Sequence, residues 1–149
     1  MRTLLPLAAA LALCQALPAA PEEQAVIATV QRLFNAMEAR DSAAASAVLI
    51  PKGSYFSVRE KSGEVSLGGQ SHEEFAARLA RDKEPIREVM RDPKVLLHGR
   101  IANLWAPYRF YRSGKLSHCG VDSFALVKTG GGWKISGFVY TVEPCGPGQ

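Results

Sequence analysis

Three side chains capable of acid–base or nucleophilic chemistry lie close together in one apolar segment. The segment is GKLSHCGVDSFALVK, residues 114–128, and it carries His118, Cys119 and Asp122. Its β-branched and aromatic content predicts a strand. A carboxylate inside such a strand is costly unless it is paired or faces a cavity. Asp122 is therefore a candidate ligand acceptor or general base with a raised pKa, and a structural hydrogen bond, for instance to the Trp105 indole, is the alternative.

Strand pairing decides which side chains can act together with Asp122. The dipeptide Ser113-Gly114 predicts a two-residue hairpin turn. This register places Asp122 opposite Trp105 and His118 opposite Arg109. On the other side of the strand, a glycine turn at residues 130–132 that pairs Lys128 with Trp133 would place Val139 beside Asp122 and Glu143 beside His118.

Alternation along the strands then predicts one face that mixes polar and aromatic groups, as pocket linings do. We predict that its ligand-binding residues are Asn103, Trp105, Arg109, His118 and Asp122. Three of them also have a structural interpretation: Trp105 as a core aromatic residue rather than a stacking plate, Arg109 as an exposed cation rather than an anion clamp, and His118 as part of a surface charge row rather than a proton shuttle. A bulge near Pro107 would exchange the two faces locally.

No catalytic residue is assigned firmly, and the candidates are Asp122 and His118. Four residues of strand span about 13 Å, so the two side chains are not a contacting dyad. The opposite face is mostly apolar, with residues such as Leu104, Tyr108 and Phe138. We expect one face to meet helices and the other to meet a second copy of the chain in a homodimer.

The N-terminal segment predicts export. Arg2 precedes an apolar run from Leu4 to Leu13 and small residues follow, which is the pattern of a secretory signal peptide. We predict cleavage after Ala16, so that residues 1–16 are the signal and 17–149 are a single secreted or periplasmic domain. Cleavage after Ala20, lipidation at Cys14 and an uncleaved anchor are the alternatives.

Export changes the interpretation of the cysteines. Cys119 and Cys145 remain after cleavage at Ala16, and two cysteines in an exported domain often form a disulfide. Two separate thiols are the alternative. A catalytic thiol would need an activating base, and His118, although adjacent in sequence, points to the other face.

The remaining sequence limits the classes of function. Basic residues are scattered among acids in a chain of net charge +4, which argues against nucleic-acid binding. The sequence has no histidine pair at ligand spacing, and TGGGW, residues 129–133, is a hairpin turn rather than a phosphate loop. We therefore predict no metal, no cofactor and no membrane contact after cleavage.

Helical periodicity precedes a series of strands. It predicts a helix from Pro21, a second helix capped by Asp41 and closed by Pro51, and a third that begins with the capping box Ser71–Glu74 and ends before Pro85. Residues 53–69 predict a hairpin, and four strands are expected after residue 93. This order indicates an α+β fold, in which helices pack on one face of an antiparallel sheet.

The pattern resembles the cone fold of the nuclear-transport-factor-2-like (NTF2-like) superfamily, which includes ketosteroid isomerases and scytalone dehydratases. The segment WAPYRFYRSGKLSHCGVDSFALVKTGGGWKI, residues 105–135, resembles more narrowly the lumazine-binding family of that superfamily. The resemblance implies a curved sheet with a pocket under the helices, a small aromatic or heterocyclic ligand, and a homodimer formed through the sheet. An exported small-molecule-binding or accessory domain is the leading hypothesis. An isomerase- or dehydratase-like enzyme with Asp122 as base and a structural interaction module are the alternatives.

Overall fold

The structure is a computed structural model, and it describes residues 20–146. Three helices and seven strands follow the chain: α1 (Pro21–Ala39), α2 (Ser42–Val48), β1 (Leu49–Lys61), β2 (Glu64–Ser71), α3 (His72–Arg81), β3 (Ile86–Met90), β4 (Lys94–His98), β5 (Ile101–Arg112), β6 (Lys115–Thr129) and β7 (Gly132–Val142). The predicted signal segment lies outside the described residues. Within residues 20–146, none of the helices has the length and apolar content that a membrane crossing requires.

The helix boundaries follow the capping chemistry in the sequence. The Asp41 carboxylate accepts a hydrogen bond from the Ala44 amide, 2.9 Å away, and so starts α2. At α3, the Ser71 hydroxyl accepts from the Glu74 amide while the Glu74 side chain accepts from the Ser71 amide. One boundary differs from the prediction: α2 ends at Val48, and the chain is already extended in β1 when it reaches Pro51.

One sheet contains all seven strands, in the order β2-β1-β7-β6-β5-β3, with β4 also paired to β5. The pairing is antiparallel except between β1 and β7, which run parallel. The helices pack against one face, called here the inner face, where Leu33, Phe34, Leu104 and Phe124 are buried in a single core. The α+β fold with helices on one sheet face is confirmed; the sequence did not predict the parallel pair or β3.

Two β-bulges correct the predicted registers. The turn at Ser113-Gly114 pairs Arg112 with Lys115 as predicted, but Ser117 is an extra residue on β6, so that Phe110 pairs with His118. On the other side, Ser136 is extra on β7, and its hydroxyl donates to the Ala125 carbonyl. Each bulge changes the register by one residue. Asp122 therefore pairs with Ala106 and Tyr140, not with Trp105 and Val139.

A one-residue change of register exchanges the faces of every paired side chain. Leu104, Tyr108 and Phe110 now share the inner face with His118 and Asp122. Asn103, Trp105 and Arg109 lie on the other side, called here the outer face, and Trp105 is 55% exposed. The prediction that these three share a face with Asp122 is therefore wrong. A bulge was anticipated, but it lies at Ser117 rather than near Pro107.

Cys119 and Cys145 form a disulfide, with Cα atoms 4.9 Å apart. Beyond the end of β7 at Val142, Glu143 pairs with Cys119 through two backbone hydrogen bonds. The chain then passes over the outer side of β6 to reach Cys119. The predicted disulfide, for which two separate thiols were the alternative, is confirmed.

Candidate functional site

The inner face of the sheet and the helices enclose a cavity of about 450 Å³. This volume is in the range of small-molecule sites. Aromatic side chains form one part of the wall, and the Phe138 ring stacks on Tyr55 with centroids 4.9 Å apart and on Phe124 at 5.0 Å. The other aromatic residues of the lining are Phe34, Phe75, Tyr108, Phe110 and Tyr140. The cavity therefore offers flat aromatic rings beside polar and charged groups, which suits a ring-containing molecule with polar substituents.

Asp122 lies in the cavity wall and is 2% exposed. Burial raises the pKa of its carboxyl well above the usual range, and the neighbouring Glu88 carboxyl raises it further. Glu88, on β3, also lines the cavity and hydrogen-bonds to Asp122. Burial raises the pKa of Glu88 to about 7. Two carboxyls in this arrangement hold at least one proton between them at neutral pH, because both cannot ionise together at close range.

One oxygen of the carboxyl pair has no partner among the protein groups described. The Oδ2 atom of Asp122 is buried, and it forms no hydrogen bond with these groups other than through a proton shared with Glu88. A buried acceptor without a partner costs free energy, so a proton shared between Asp122 and Glu88 would be favourable at this position. The carboxyl pair is the most specific polar feature of the cavity.

The sequence did not reveal Glu88. It lies in the segment RLARDKEPIREVMRDPK, residues 78–94, whose mixture of acidic and basic residues predicts a solvated surface. The signal was the short alternation IREVM after Pro85, which forms β3 and pairs Glu88 with Phe110. A five-residue strand carrying two charges gives a weak period-2 pattern, and its inner face is determined only by pairing with β5.

The Tyr108 side chain is held in place by Gly120 and Thr141. Its ring lies over Gly120, where a Cβ atom would come within 2.8 Å of the Tyr108 Cε1 atom and 2.1 Å of the Thr141 carbonyl oxygen. The Tyr108 side chain reaches across β6, and its hydroxyl donates a hydrogen bond to that same carbonyl oxygen at 2.6 Å. Burial and the negative charge of Glu88 and Asp122 raise the pKa of Tyr108, which keeps the phenol protonated. This hydroxyl therefore positions the ring and is not available to a ligand.

His118 also lines the cavity, nearer the turn between β5 and β6. Its ring stacks on Phe110 at 4.8 Å, and its Nδ1 atom lies 3.1 Å from the Ser117 hydroxyl. Burial, together with the charges of Arg59 and Arg112, lowers the pKa of His118 to about 4. The imidazole is neutral at physiological pH, so it can donate or accept a hydrogen bond but carries no charge. The predicted charge row with Arg109 and Glu143 is not formed, since both pair with Cys119.

The structure thus brings together two of the five predicted ligand-binding residues, His118 and Asp122. Asn103, Trp105 and Arg109 are outside the cavity lining. Four arginine side chains also line the cavity: Arg40, Arg59, Arg78 and Arg112. Within residues 20–146, no group of three histidine, cysteine or acidic side chains is arranged to hold a metal ion.

Comparison with known families agrees with this architecture. The model of the SnoaL-like domain matches residues 26–140, and the chain belongs to this family, which is part of the NTF2-like superfamily. The resemblance to that superfamily is confirmed. The narrower resemblance to the lumazine-binding family is not, because the matching model is the SnoaL-like one.

Solved structures show the same fold at low sequence identity. An NTF2-like superfamily protein from Salmonella enterica is 14% identical, with a TM-score of 0.66 over 86% of this chain and 96% of its own. A protein with a cystatin-like fold from Nostoc punctiforme is 11% identical, with a TM-score of 0.66 over 84% of this chain and 93% of its own. A candidate dehydratase of the NTF2-like family from Streptomyces avermitilis is 18% identical, with a TM-score of 0.63 over 82% and 96%. Comparison with the curated proteins finds no match for this chain.

Proposed function

We propose that this SnoaL-like domain binds a small, ring-containing molecule in the cavity between the sheet and the helices. The observation that carries the proposal is the hydrogen-bonded carboxyl pair of Asp122 and Glu88 in the wall of a cavity of about 450 Å³ that aromatic rings also line. A ligand hydroxyl or N–H would hydrogen-bond to the carboxyl pair, while Phe124 and Phe138 would cover the flat body of the ligand.

The test is a thermal-shift screen of aromatic and heterocyclic metabolites on residues 17–149, with calorimetry on each hit. Asp122→Asn should weaken a genuine cavity ligand about 10-fold or more, because the amide replaces an acceptor oxygen with a donor. Trp105→Ala is the matched control, since Trp105 is exposed on the outer face, and it should leave affinity unchanged. Hits that respond to Trp105→Ala but not to Asp122→Asn would contradict the proposal.

A second candidate function is proton transfer on the bound ligand. The raised pKa of Glu88, about 7, favours it, because a carboxyl that titrates near neutrality can act as base and as acid. In this reaction the ionised member of the pair removes a proton from carbon next to a ligand carbonyl. The protonated member hydrogen-bonds to the resulting enolate oxygen, and the proton then returns to carbon or assists loss of a hydroxyl.

Hydrogen exchange separates binding from catalysis. A carbonyl-containing hit incubated with protein in D₂O should gain deuterium next to the carbonyl, and NMR would follow it. Glu88→Gln should slow exchange about 100-fold or more while the ligand still binds. No exchange above the rate in buffer would leave a binding domain without this chemistry.

A homodimer through the outer face and export of the chain belong to the same proposal. A row of side chains crosses four strands of this face from Phe56 through Val139 and Ser123 to Trp105, and its three apolar members are 42–55% exposed. A second copy would cover them, as is common in the superfamily that this chain resembles. Analytical ultracentrifugation of the parent chain should show a dimer, and the Trp105→Lys variant should be a monomer. A monomeric parent chain would contradict the proposed homodimer.

The disulfide supports export, since such bonds persist in oxidising compartments. Mass spectrometry of the periplasmic or secreted fraction should find a mature chain that begins at Leu17. A full-length chain recovered only from the reducing cytosol would contradict export.

A further inference from the structure

The charged groups at the cavity indicate which chemical class of ligand it takes. Its lining contains four guanidinium groups but only three carboxyls, and two of those carboxyls are the Asp122–Glu88 pair that shares a proton. The third is Asp82. Even when Glu84, which forms an ion pair with Arg112, is included, positive charge exceeds negative charge. An excess of cations around a low-dielectric cavity attracts an anion.

Two of the four arginines already have protein partners that occupy the head group. Arg112 contacts the Glu84 carboxylate at 2.6 Å and lies over the Phe110 ring. Arg78 donates to the Tyr55 hydroxyl at 2.7 Å and lies over the Phe75 ring. These two side chains hold the aromatic wall in place, and their charges are partly satisfied.

The other two arginines have unsatisfied capacity. Arg40 donates from one terminal nitrogen to the Glu84 carbonyl, but its Nε atom is buried and has no hydrogen-bond partner among the described residues. Arg59, on β1, forms no ion pair with any described acid, although its charge is close enough to lower the pKa of His118. The Arg40 Nε atom is covered by protein atoms, so Arg59, which is exposed and has no ion pair among the described residues, is the guanidinium group best placed to meet a ligand anion.

We propose that the cavity takes an amphipathic organic anion: a ring-containing body lies on the aromatic wall, its acidic head group is bound by Arg59, and a donor group on the ligand meets the carboxyl pair of Asp122 and Glu88. This inference rests on the proposed function and names the class of its ligand. A carboxylate fits the arrangement best among simple anions, because guanidinium groups bind its two oxygens in a planar geometry.

The experiment uses two probes that differ in charge but not in shape. Naphthalene-2-carboxylate and naphthalene-2-carboxamide would be titrated into residues 17–149 by calorimetry at pH 7. The carboxylate should bind at least 10-fold more tightly. Its affinity should fall between 50 and 500 mM salt, and that of the carboxamide should not, because only the charged pair is screened.

Arg59→Gln and Arg109→Gln are matched variants. Arg59 is exposed, so its loss is compatible with folding, and it should remove most of the preference for the carboxylate. Arg109 lies outside the cavity lining, and its variant should keep the preference. Loss of preference in Arg109→Gln, or its retention in Arg59→Gln, would overturn the assignment.

The outcomes also distinguish this inference from the function on which it rests. Equal affinities, or tighter binding of the carboxamide, would overturn the anion proposal while the ring-binding cavity stands. Failure of both probes to bind, with melting temperatures unchanged at millimolar concentration, would overturn both.

Discussion

The two faces of the same central strands have opposite characters. On the inner face of β5 and β6, Tyr108, Asp122 and Phe124 are each at most 2% exposed and form a wall around a cavity. On the outer face, one residue away along the chain, Trp105 is 55% exposed and Ser123 is only partly buried. The difference shows that residue type alone does not indicate the site. An aspartate lies in the interior and a tryptophan outside, and the pairing register determines both positions.

The largest expected contrast between the faces is in stability. Phe124→Ala removes a ring that packs against Phe34 and Phe138, and it should lower the free energy of unfolding by about 3–5 kcal/mol. Trp105→Ala should change it by less than about 1 kcal/mol in the monomer, since the side chain is more than half exposed. Urea denaturation at a protein concentration that keeps both variants monomeric would measure this. Equal losses would mean that the two faces are not distinct.

The disulfide is the one place where the outer face of β6 is fully covered, since Cys119 is 1% exposed beneath the C-terminal segment. The variant Cys119→Ser/Cys145→Ser should lose roughly 3–4 kcal/mol, because the unfolded chain is no longer constrained by a loop that spans 26 residues. The parent chain melted with and without reductant gives the same comparison. If ligand affinity fell in parallel at temperatures where the variant is folded, the outer face would be coupled to the cavity.

The inner face should also respond to pH in a way that the outer face does not. Burial raises the folded-state pKa of Asp122 and Glu88 above the unfolded values, so their protonated forms stabilise the fold at low pH. This contribution is lost as pH rises from the unfolded pKa near 4 through the folded pKa, which is about 7 for Glu88. His118 acts in the opposite sense, since its lowered pKa of about 4 removes stability only as pH falls below its unfolded value near 6.5. Between pH 6.5 and 9 only the carboxyl pair contributes.

In that window the parent chain should lose roughly 1–3 kcal/mol of unfolding free energy. Asp122→Asn should flatten the dependence, because one ionisable member of the pair is gone. Asp92→Asn, at a charged and exposed position, should leave the slope unchanged. Denaturant titrations at several pH values would measure these slopes, and a parent chain with constant stability would show that the pair does not hold a proton.

The smallest expected effect concerns the hydroxyl that crosses β6. Tyr108→Phe removes the hydrogen bond to the Thr141 carbonyl but keeps the ring over Gly120, so it should cost about 1–2 kcal/mol. Tyr111→Phe is the matched control on the opposite side of β5 and should be nearly neutral. Melting temperatures would compare the stability losses of the two variants. If Tyr108→Phe caused no loss of stability, a water molecule would have to replace the phenol hydroxyl at the Thr141 carbonyl.

Local signals in the sequence predicted the elements well. Asp41, Ser71 and the turn at Ser113-Gly114 each fix a boundary through contacts within four residues, so the sequence carries that information directly. Asp122 was also recognised as unusual from its apolar neighbours alone. These features need no knowledge of distant parts of the chain.

The composition of the site could not be predicted in the same way. The extra residues at Ser117 and Ser136 have no distinctive local pattern, yet they decide which residues of β5 and β7 accompany Asp122. Glu88 enters the site only because β3 pairs with β5 at one particular register. Long-range pairing is determined by the packing of the whole sheet, and a single sequence gives no direct measure of it.

The parallel pairing of β1 with β7 has a consequence for how the protein is made. Ser54 meets Gly137 and Val58 meets Thr141, contacts between residues more than 80 positions apart. During synthesis, the β1–β2 hairpin can form early, but the edge of β1 that pairs with β7 stays open until nearly the entire chain is available. The β5–β6–β7 meander can assemble from neighbouring segments. The C-terminal meander is therefore expected to form first, and a chain interrupted before Gly132 leaves β1 exposed to association with other chains.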